Sequence, residues 1–367
     1  MGKRELLIAA AFVVLAAIVY QFTAPAPKDG EEGFSLRRVF DGMRREMNED
    51  AAKSEFTHQG TIPVGAGVDV IRISTYRSMP VTIEGEDRAD IAYEMPVHST
   101  GPDADRALEY AKRSILEVED LGSQLNLTTN FPTEGSQTGA VTLKVPARLT
   151  VRIEPGGRPK VKGVTGVRLS RVSGEVVLEN IRGLVTGTHA SGDLTINGAG
   201  SVNLILISSR VKLIAIERGI TANARSGECE IRESRGPVSF TANSSRVTLA
   251  GHDGPVDIDG EGGQIKIDRP LQTVRVDIRR GAIDVTLASA MPVSLLTTEA
   301  PLQLTIDGNP ALQLDAAVIN GHIRAEDFSL QPEKSERAER LTHEVGGKGT
   351  RVILRNSRGD IVIARAK

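Results

Sequence analysis

Three aspartates are the residues of this sequence whose type and spacing best suit chemistry. Asp257, Asp259 and Asp277 lie close together if residues eighteen apart stack on one another, which brings the last over the second. Such a trio would bind calcium or act as the acid and base of a glycosidase. Arg275 should lie directly above Asp257 and neutralise it. We therefore favour a plain charged face over a weak calcium site, and either of these over catalysis.

The other reactive residue types do not converge on a site. Cys229 is the only cysteine and falls at a predicted inward position, where it serves as a small hydrophobe and not as a nucleophile. The histidines occupy unrelated places, so no two are expected to share a metal ion; they are His58, His98, His189, His252, His322 and His343. Neither a phosphate loop nor a nucleophile elbow is present. The sequence predicts no enzyme, no catalytic residue and no cofactor.

The elements that position these residues follow from an internal period. Small dipeptides recur every 18 residues with one slip to 17. They are Ser173-Gly174, Ser191-Gly192, Ser208-Ser209, Ser226-Gly227, Ser244-Ser245, Gly262-Gly263 and Arg280-Gly281. Apolar residues follow each marker two and four positions later, as at Val211 and Leu213 or Cys229 and Ile231. This alternation predicts a β-strand after each marker.

A second apolar set appears half a period later, beginning for example at Ile220, Val238 and Val256. Turn residues such as Gly236 separate the two sets. Each repeat therefore contains two short strands, and such repeats bury their apolar side only by stacking. The sequence predicts an all-β fold with a single parallel β-solenoid at 139–330. It would comprise about ten coils of about 18 residues and extend roughly 50 Å at the strand spacing.

Charges at outward positions give an independent test of this register. Stacked coils place equivalent residues about 4.8 Å apart, where like charges repel. The first position after the marker alternates in sign through Asp193, Arg210, Glu228 and Arg246. At the third position Lys212 precedes Glu230, and Lys266 precedes Asp284. Both series favour parallel stacking in register.

Regions on either side of the repeat are expected to close its ends, because an exposed end would pair with other chains. Residues 57–138 are predicted to form a β-rich cap with strands near 68–73, 81–83, 91–97 and 124–128. A helix is expected at 103–114 with Asp103 as its N-cap. Residues 331–367 are predicted to contain a charged spacer and a closing pair of strands at 351–354 and 360–364.

The N-terminus predicts a membrane anchor. Lys3 and Arg4 precede an apolar run over 6–24, which is about 19 residues and long enough to cross a bilayer. The positive flank predicts a cytoplasmic N-terminus and a periplasmic or extracellular bulk. Prolines follow the small residues Ala24 and Ala26 and should obstruct a signal peptidase, so an uncleaved signal anchor over 1–24 is favoured over a cleaved signal peptide.

Residues 25–56 are predicted to form a linker and an amphipathic juxtamembrane helix. Apolar residues recur at helical spacing from Leu36 to Met47, and the polar face contains four arginines: Arg37, Arg38, Arg44 and Arg45. This helix would lie on anionic headgroups or would pack on the following domain or on a second copy of itself. The packing alternative is favoured.

Several short motifs resemble the bacterial putative-adhesin family of β-strand-repeat proteins. They are the Val-Thr-Leu-Lys-Val-Pro run at 141–146, the Gly163-Val164-Thr165-Gly166 step, the Ser173-Gly174-Glu175-Val176 and Ser191-Gly192-Asp193-Leu194 repeats, and the terminal Arg358-Gly359-Asp360-Ile361-Val362-Ile363. The resemblance covers roughly residue 60 to the end. It implies a role at the cell envelope or surface and transfers no catalytic residue.

Composition and charge limit the partners. The formal net charge is -2 and the isoelectric point about 6.4, so no overall basic field attracts nucleic acid. We expect a membrane-anchored structural or adhesin-like surface without catalysis, whose partner is a protein, a glycan or a second copy. A regulatory or scaffolding subunit of an envelope complex is the alternative, and a carbohydrate-active β-helix enzyme is a third hypothesis.

Overall fold

The computed structural model describes residues 51–75 and 79–366. This part of the chain is all-β, as predicted: its strands pair into one 26-stranded sheet, accompanied by helix α1 (Ala104–Arg113) and a short 3-10 helix (Glu326–Phe328). Within these residues no helix has the length and apolar content needed to cross a membrane. The predicted anchor at 6–24 and the predicted amphipathic helix at 36–47 lie outside the described residues.

The N-terminal part, residues 52–173, contains eleven strands and the α-helix. The strands are β1 (Ala52–Pro63), β2 (Val70–Ser74), β3 (Pro80–Glu86), β4 (Asp90–Gly101), β5 (Ile115–Asp120), β6 (Gln124–Asn130), β7 (Ser136–Gly139), β8 (Val141–Pro146), β9 (Thr150–Ile153), β10 (Arg158–Lys162) and β11 (Gly166–Ser173). The four strands predicted upstream of residue 139 are confirmed as β2, β3, β4 and β6. Helix α1 is also confirmed. Its predicted N-cap is confirmed as well, because the Asp103 side chain accepts from the Arg106 N–H at 2.7 Å.

The central strands contain the predicted repeat. They are β12 (Val176–Ile216), β13 (Ile220–Ala224), β14 (Gly227–Arg232), β15 (Val238–Ala250), β16 (Val256–Asp268), β17 (Val274–Ile278), β18 (Gly281–Leu287), β19 (Val293–Thr297) and β20 (Leu302–Ile306). Val211 pairs with Cys229 and Cys229 with Val247, all in parallel. The prediction that residues eighteen apart stack in register is confirmed for these strands.

Two parallel ladders run through this region. The first ladder joins the segments after the markers, 209–214, 227–232, 245–250, 263–268 and 281–286. The second ladder joins 202–206, 220–224, 238–242, 256–260 and 274–278. Burial alternates along each strand, and the inward residues are almost all Val, Ile, Leu and Ala, with Phe240 the largest fully buried side chain. Burial of this aliphatic spine is the main stabilising contribution.

A glycine of the marker dipeptide shows how closely successive segments approach. Gly227 has a φ of 109°, and a Cβ atom at this position would overlap the Ser209 carbonyl oxygen of the preceding segment. A residue without Cβ is therefore required both by backbone conformation and by space. The glycine at this marker follows from this contact.

At the N-terminal end the spatial order of the strands differs from the sequence order. β2 pairs with β6 on one side and with β9 on the other, and β3 lies between β8 and β10. All four pairings are parallel. The parallel ladders therefore extend into the predicted cap, and their start does not coincide with the boundary predicted at 139.

The C-terminal end has a similar interleaved order. Its strands are β21 (Leu312–Ile319), β22 (Ile323–Arg324), β23 (Glu333–Lys334), β24 (Ala338–Val345), β25 (Thr350–Asn356) and β26 (Ile361–Arg365). β25 lies between β19 and β21, and β26 lies between β20 and β22. The two strands predicted at 351–354 and 360–364 are confirmed as β25 and β26. They do not form the end of the ladders, because β21 and β22 lie beyond them.

Antiparallel strands cover both ends of the ladders. At the N-terminal end β4 pairs with β8, β1 with β4 and β5 with β6; at the C-terminal end β24 pairs with β21 and β23 with β24. Such strands occupy backbone groups that would otherwise form an open edge. β1 begins at Ala52, so the boundary predicted after residue 56 falls inside a strand, and β24 occupies part of the predicted charged spacer.

Candidate functional site

The three candidate aspartates lie on the outer side of the second ladder. Asp259 is the in-register partner of Asp277, and Asp257 is the partner of Arg275. The Arg275 Nη1 lies 3.7 Å from Asp257 Oδ2, which confirms the predicted neutralising contact, and Thr241 Oγ1 donates to Asp259 Oδ1 at 3.2 Å. Among the residues that the structure describes, no group of three or more His, Cys, Asp or Glu side chains is arranged to hold a metal ion.

Cys229 lies where the repeat predicted it, inside the first ladder between Val211 and Val247. Its side chain is buried, and burial raises the pKa of the thiol to about 12. The thiol therefore stays protonated at neutral pH and is not a nucleophile.

One buried serine–histidine pair was not predicted from the sequence. His189 Nδ1 lies 2.8 Å from Ser209 Oγ, and His189 Nε2 lies 3.1 Å from the Gly174 carbonyl oxygen. Burial lowers the pKa of His189, and Ser209 is 3% exposed. The Ser209 hydroxyl also donates to the His189 carbonyl oxygen at 3.1 Å, which holds it inside. A substrate cannot reach this pair, so its role is to satisfy buried polar atoms.

The alternating series on the first ladder forms a connected row of charges, here named the alternating ladder: Asp193, Arg210, Glu228 and Arg246. Arg210 Nη1 lies 2.9 Å from Asp193 Oδ1, and Arg246 Nη1 lies 2.8 Å from Glu228 Oε1. Arg210 also approaches Glu228 at 4.0 Å. The predicted sign alternation therefore produces contacts. At the third position Lys212 aligns with Glu230 in register, but Glu230 pairs with Arg232 of its own strand.

The outer side of the second ladder is uncharged over several segments. Asn203, Thr221 and Ser239 are in-register neighbours, and Asn223 is the neighbour of Thr241. We name these five residues the polar tract. Hydroxyl and amide groups repeated at the strand spacing form a flat surface of hydrogen-bond donors and acceptors. Such a surface suits contact with a hydroxylated ligand or another protein and has no group to activate a nucleophile.

The C-terminal end has an acidic centre surrounded by arginines. Asp315 Oδ2 accepts from Arg351 at 2.8 Å and from Arg355 at 2.9 Å, and Arg340 lies 3.5 Å from Oδ1. Hydrogen bonding from Arg351, against the opposing effect of burial, holds the pKa of Asp315 below its ordinary value. Asp315, Arg340 and Arg351 border an open groove of about 540 Å³ that Glu344 also lines.

A second buried carboxylate closes the edge of β22. The Ile323 N–H donates to Glu339 Oε2 at 2.8 Å, while His322 and Lys334 lie 3.0 and 3.2 Å from Oε1. Burial alone would raise the pKa of Glu339, but these contacts outweigh burial and lower the pKa to about 2. Glu339 therefore remains ionised and holds the last strands of the sheet together.

Comparison with known proteins gives distant structural similarities. No family model and no curated protein matches the chain. The chain is similar to a putative cell adhesion protein from Clostridium sporogenes (9% identity, TM-score 0.18, covering 86% of this chain and 100% of that chain). It is also similar to a putative adhesin (12%, 0.25, 85% and 97%) and a putative lipid binding protein (13%, 0.28, 86% and 97%) from Parabacteroides distasonis. The resemblance to the adhesin family stays a prediction.

Proposed function

We propose that this chain is a membrane-anchored, extracytoplasmic β-solenoid that offers a structural or adhesin-like binding surface and performs no catalysis. The observation that supports it most directly is the parallel register of the first and second ladders, in which residues eighteen apart pair from strand to strand. A column built in this way is held by burial and by backbone pairing along its whole length. It repeats outward side chains at a fixed spacing, which favours many weak contacts with one extended partner.

The polar tract is the proposed contact surface. Its five residues expose hydroxyl and amide groups, and the exposed Ile205 lies in register with Asn223 beside them. The surface can therefore donate and accept hydrogen bonds without charge. The partner is a protein, a glycan or a second copy of the chain.

The test is recovery of a partner from solubilised membranes with the intact protein as bait. Thr221→Arg places a bulky charge in the polar tract, and Thr248→Arg makes the same change at an outward position of the first ladder. We expect the first variant to lose the partner and the second to keep it. Equal recovery with both variants would contradict the polar tract as the contact surface.

Membrane anchoring has a separate test. The apolar run over 6–24 supports the anchor, because a stretch of this length and composition partitions into hydrocarbon. Val14→Asp should release the protein from the membrane fraction into alkaline extracts, whereas Val14→Leu should not. Retention of the aspartate variant would refute an anchor formed by this run.

The regulatory alternative predicts a different dependence. A complex that is lost on deletion of 36–50, but survives Thr221→Arg, would indicate docking through the predicted juxtamembrane helix. The deletion must end before Ala52, because β1 begins there.

A further inference from the structure

Three arginines form a column on parallel strands near the N-terminal end of the sheet. Arg72 of β2 is the in-register partner of Arg152 of β9, and Arg152 is the partner of Arg168 of β11. Neighbouring strands lie about 4.8 Å apart, so the three guanidinium groups line up over about 10 Å. We name these residues the arginine column.

The column has more positive charge than its surroundings neutralise. Glu154 Oε1 accepts from Arg72 Nε at 2.8 Å and lies 2.8 Å from Arg152 Nε, so one carboxylate pairs with two guanidinium groups. Arg152 Nε also donates to Ser170 Oγ at 3.2 Å. Arg168 is exposed and has no hydrogen bond or ion pair among the described residues. The column therefore has an excess of two positive charges.

Stacking like charges in register is unfavourable, and the alternating ladder avoids it. The alternating ladder has the same parallel geometry and its arginines are more exposed than Arg72 and Arg152, yet each arginine there contacts a carboxylate of a neighbouring segment. Among the described residues, the contacts of Arg72 and Arg152 engage only their Nε atoms, which leaves the terminal nitrogens of the three arginines for an anion. An anion with charges along a line would relieve the repulsion and gain several charge-assisted hydrogen bonds.

Neighbouring side chains restrict the chemical class of that anion. The column is flanked in register by Asn126 at one end and Thr186 at the other, and Ser170 lies beside it. The hydroxyls of Thr186 and Ser170 can bond the hydroxyls of a ligand, whereas the Asn126 amide is buried and bonded to Gln124 and Glu119. None of the three is an aromatic platform of the kind that single-stranded nucleic acid requires. A chain of acidic sugars offers both hydroxyls and regularly spaced carboxylate or sulfate groups.

We propose that the arginine column binds a linear acidic polysaccharide, whose carboxylates or sulfate esters pair with Arg72, Arg152 and Arg168. This inference rests on the proposed binding-surface function and assigns a ligand class to a different part of that surface. The salt dependence of such binding is strong because exposed charge pairs are screened.

The experiment measures binding of the intact protein to polygalacturonate and to dextran sulfate, with uncharged dextran as the reference. The test variant replaces the three arginines by glutamine. The control variant, Arg210→Gln with Arg246→Gln and Arg275→Gln, removes the same charge from paired outward positions. We expect the affinity of the test variant to fall about tenfold, because it loses three exposed charge pairs with the polymer. The affinity of the control variant should change little.

Arg168→Gln keeps the result interpretable if the triple variant unfolds, because this exposed side chain forms no hydrogen bond or ion pair among the described residues. It should reduce affinity about threefold while leaving the unfolding midpoint unchanged. Equal losses in test and control variants would overturn the inference. Equally tight binding of duplex DNA, or of vesicles with anionic lipids, would overturn the assignment to polysaccharide.

Failure of this inference is distinguishable from failure of the proposed function. If the protein binds neither acidic polymer but still recovers a partner that Thr221→Arg abolishes, the result contradicts ligand binding by the arginine column and supports the polar tract as the contact surface. A protein that binds the polymers but recovers no such partner gives the opposite result.

Discussion

The alternating ladder and the arginine column are two charge rows made by the same geometry with opposite outcomes. In the alternating ladder Arg210 and Arg246 each contact a carboxylate of an adjacent strand. In the arginine column three like charges share only Glu154, and Arg168 has no partner among the described residues. Parallel stacking forces equivalent side chains together, so the sign pattern decides whether a row neutralises itself or retains charge for a ligand.

The two rows also differ in how the chain assembles them. The alternating ladder comes from successive repeats, so its members lie 17 or 18 residues apart. The arginine column depends on β2 inserting beside β9, which joins Arg72 to residues about eighty positions later. A row of charges that comes from successive repeats can be predicted from the sequence. A row built by insertion cannot.

The largest expected effect comes from breaking the register under the alternating ladder. Gly227→Ala adds a Cβ that overlaps the Ser209 carbonyl oxygen at a φ of 109°. We expect the free energy of unfolding to fall by about 3 kcal/mol, measured by urea denaturation. Gly174→Ala is the matched control, because its φ is 93° but no atom lies within 4 Å of the new Cβ. It should cost about 1 kcal/mol, and equal losses would contradict the steric explanation.

Charge reversal should convert one row into the other. Glu228→Arg adds a third cation between Arg210 and Arg246. We expect this change to lower the free energy of unfolding by about 1 kcal/mol. Glu228→Gln removes the ion pairs without adding repulsion and should cost about half as much. The difference between the two variants should shrink at high salt, because screening weakens repulsion between exposed charges. A salt-independent difference would mean that packing, and not charge, is responsible.

The reverse conversion should stabilise the arginine column slightly. Arg168→Glu loses no hydrogen bond or ion pair of the described residues and gives Arg152 a carboxylate in the neighbouring strand. We expect the free energy of unfolding to rise by about 0.5 kcal/mol and binding to polygalacturonate to be lost. Arg168→Gln should change stability less. Loss of stability in the glutamate variant would show that the column is not under repulsion.

The mildest perturbation is a change of pH, which separates the charge rows from the interior. Burial lowers the pKa of His189 and of His252, whereas in the unfolded chain both titrate near 6.5. The unfolded state therefore binds more protons below about pH 6.5, so stability is fully present above that pH and falls as pH decreases through it. Arginines stay charged throughout. His189→Gln should flatten the decrease seen in urea denaturation, and His98→Gln, at an exposed site, should not.

Local patterning made much of the second half of the fold predictable. The markers and the alternation of Val211, Leu213, Cys229 and Ile231 predicted strands and pairing partners that the structure confirms. The contact between Arg275 and Asp257 was also predictable, because both lie inside one continuous register. Strands β1, β5 and β24 were missed, since their few inward residues leave little apolar periodicity.

By itself the sequence determined the eighteen-residue register, because each repeat must bury its apolar face against the next, and the sign alternation from Asp193 to Arg246 indicates the same alignment. Only the tertiary structure decided which strands lie next to one another at the ends. There β2, β3, β25 and β26 insert between strands that are distant in sequence. Backbone pairing satisfies any strand of suitable length and burial pattern, so no local signal specifies these partners. The arginine column exists because of one such insertion.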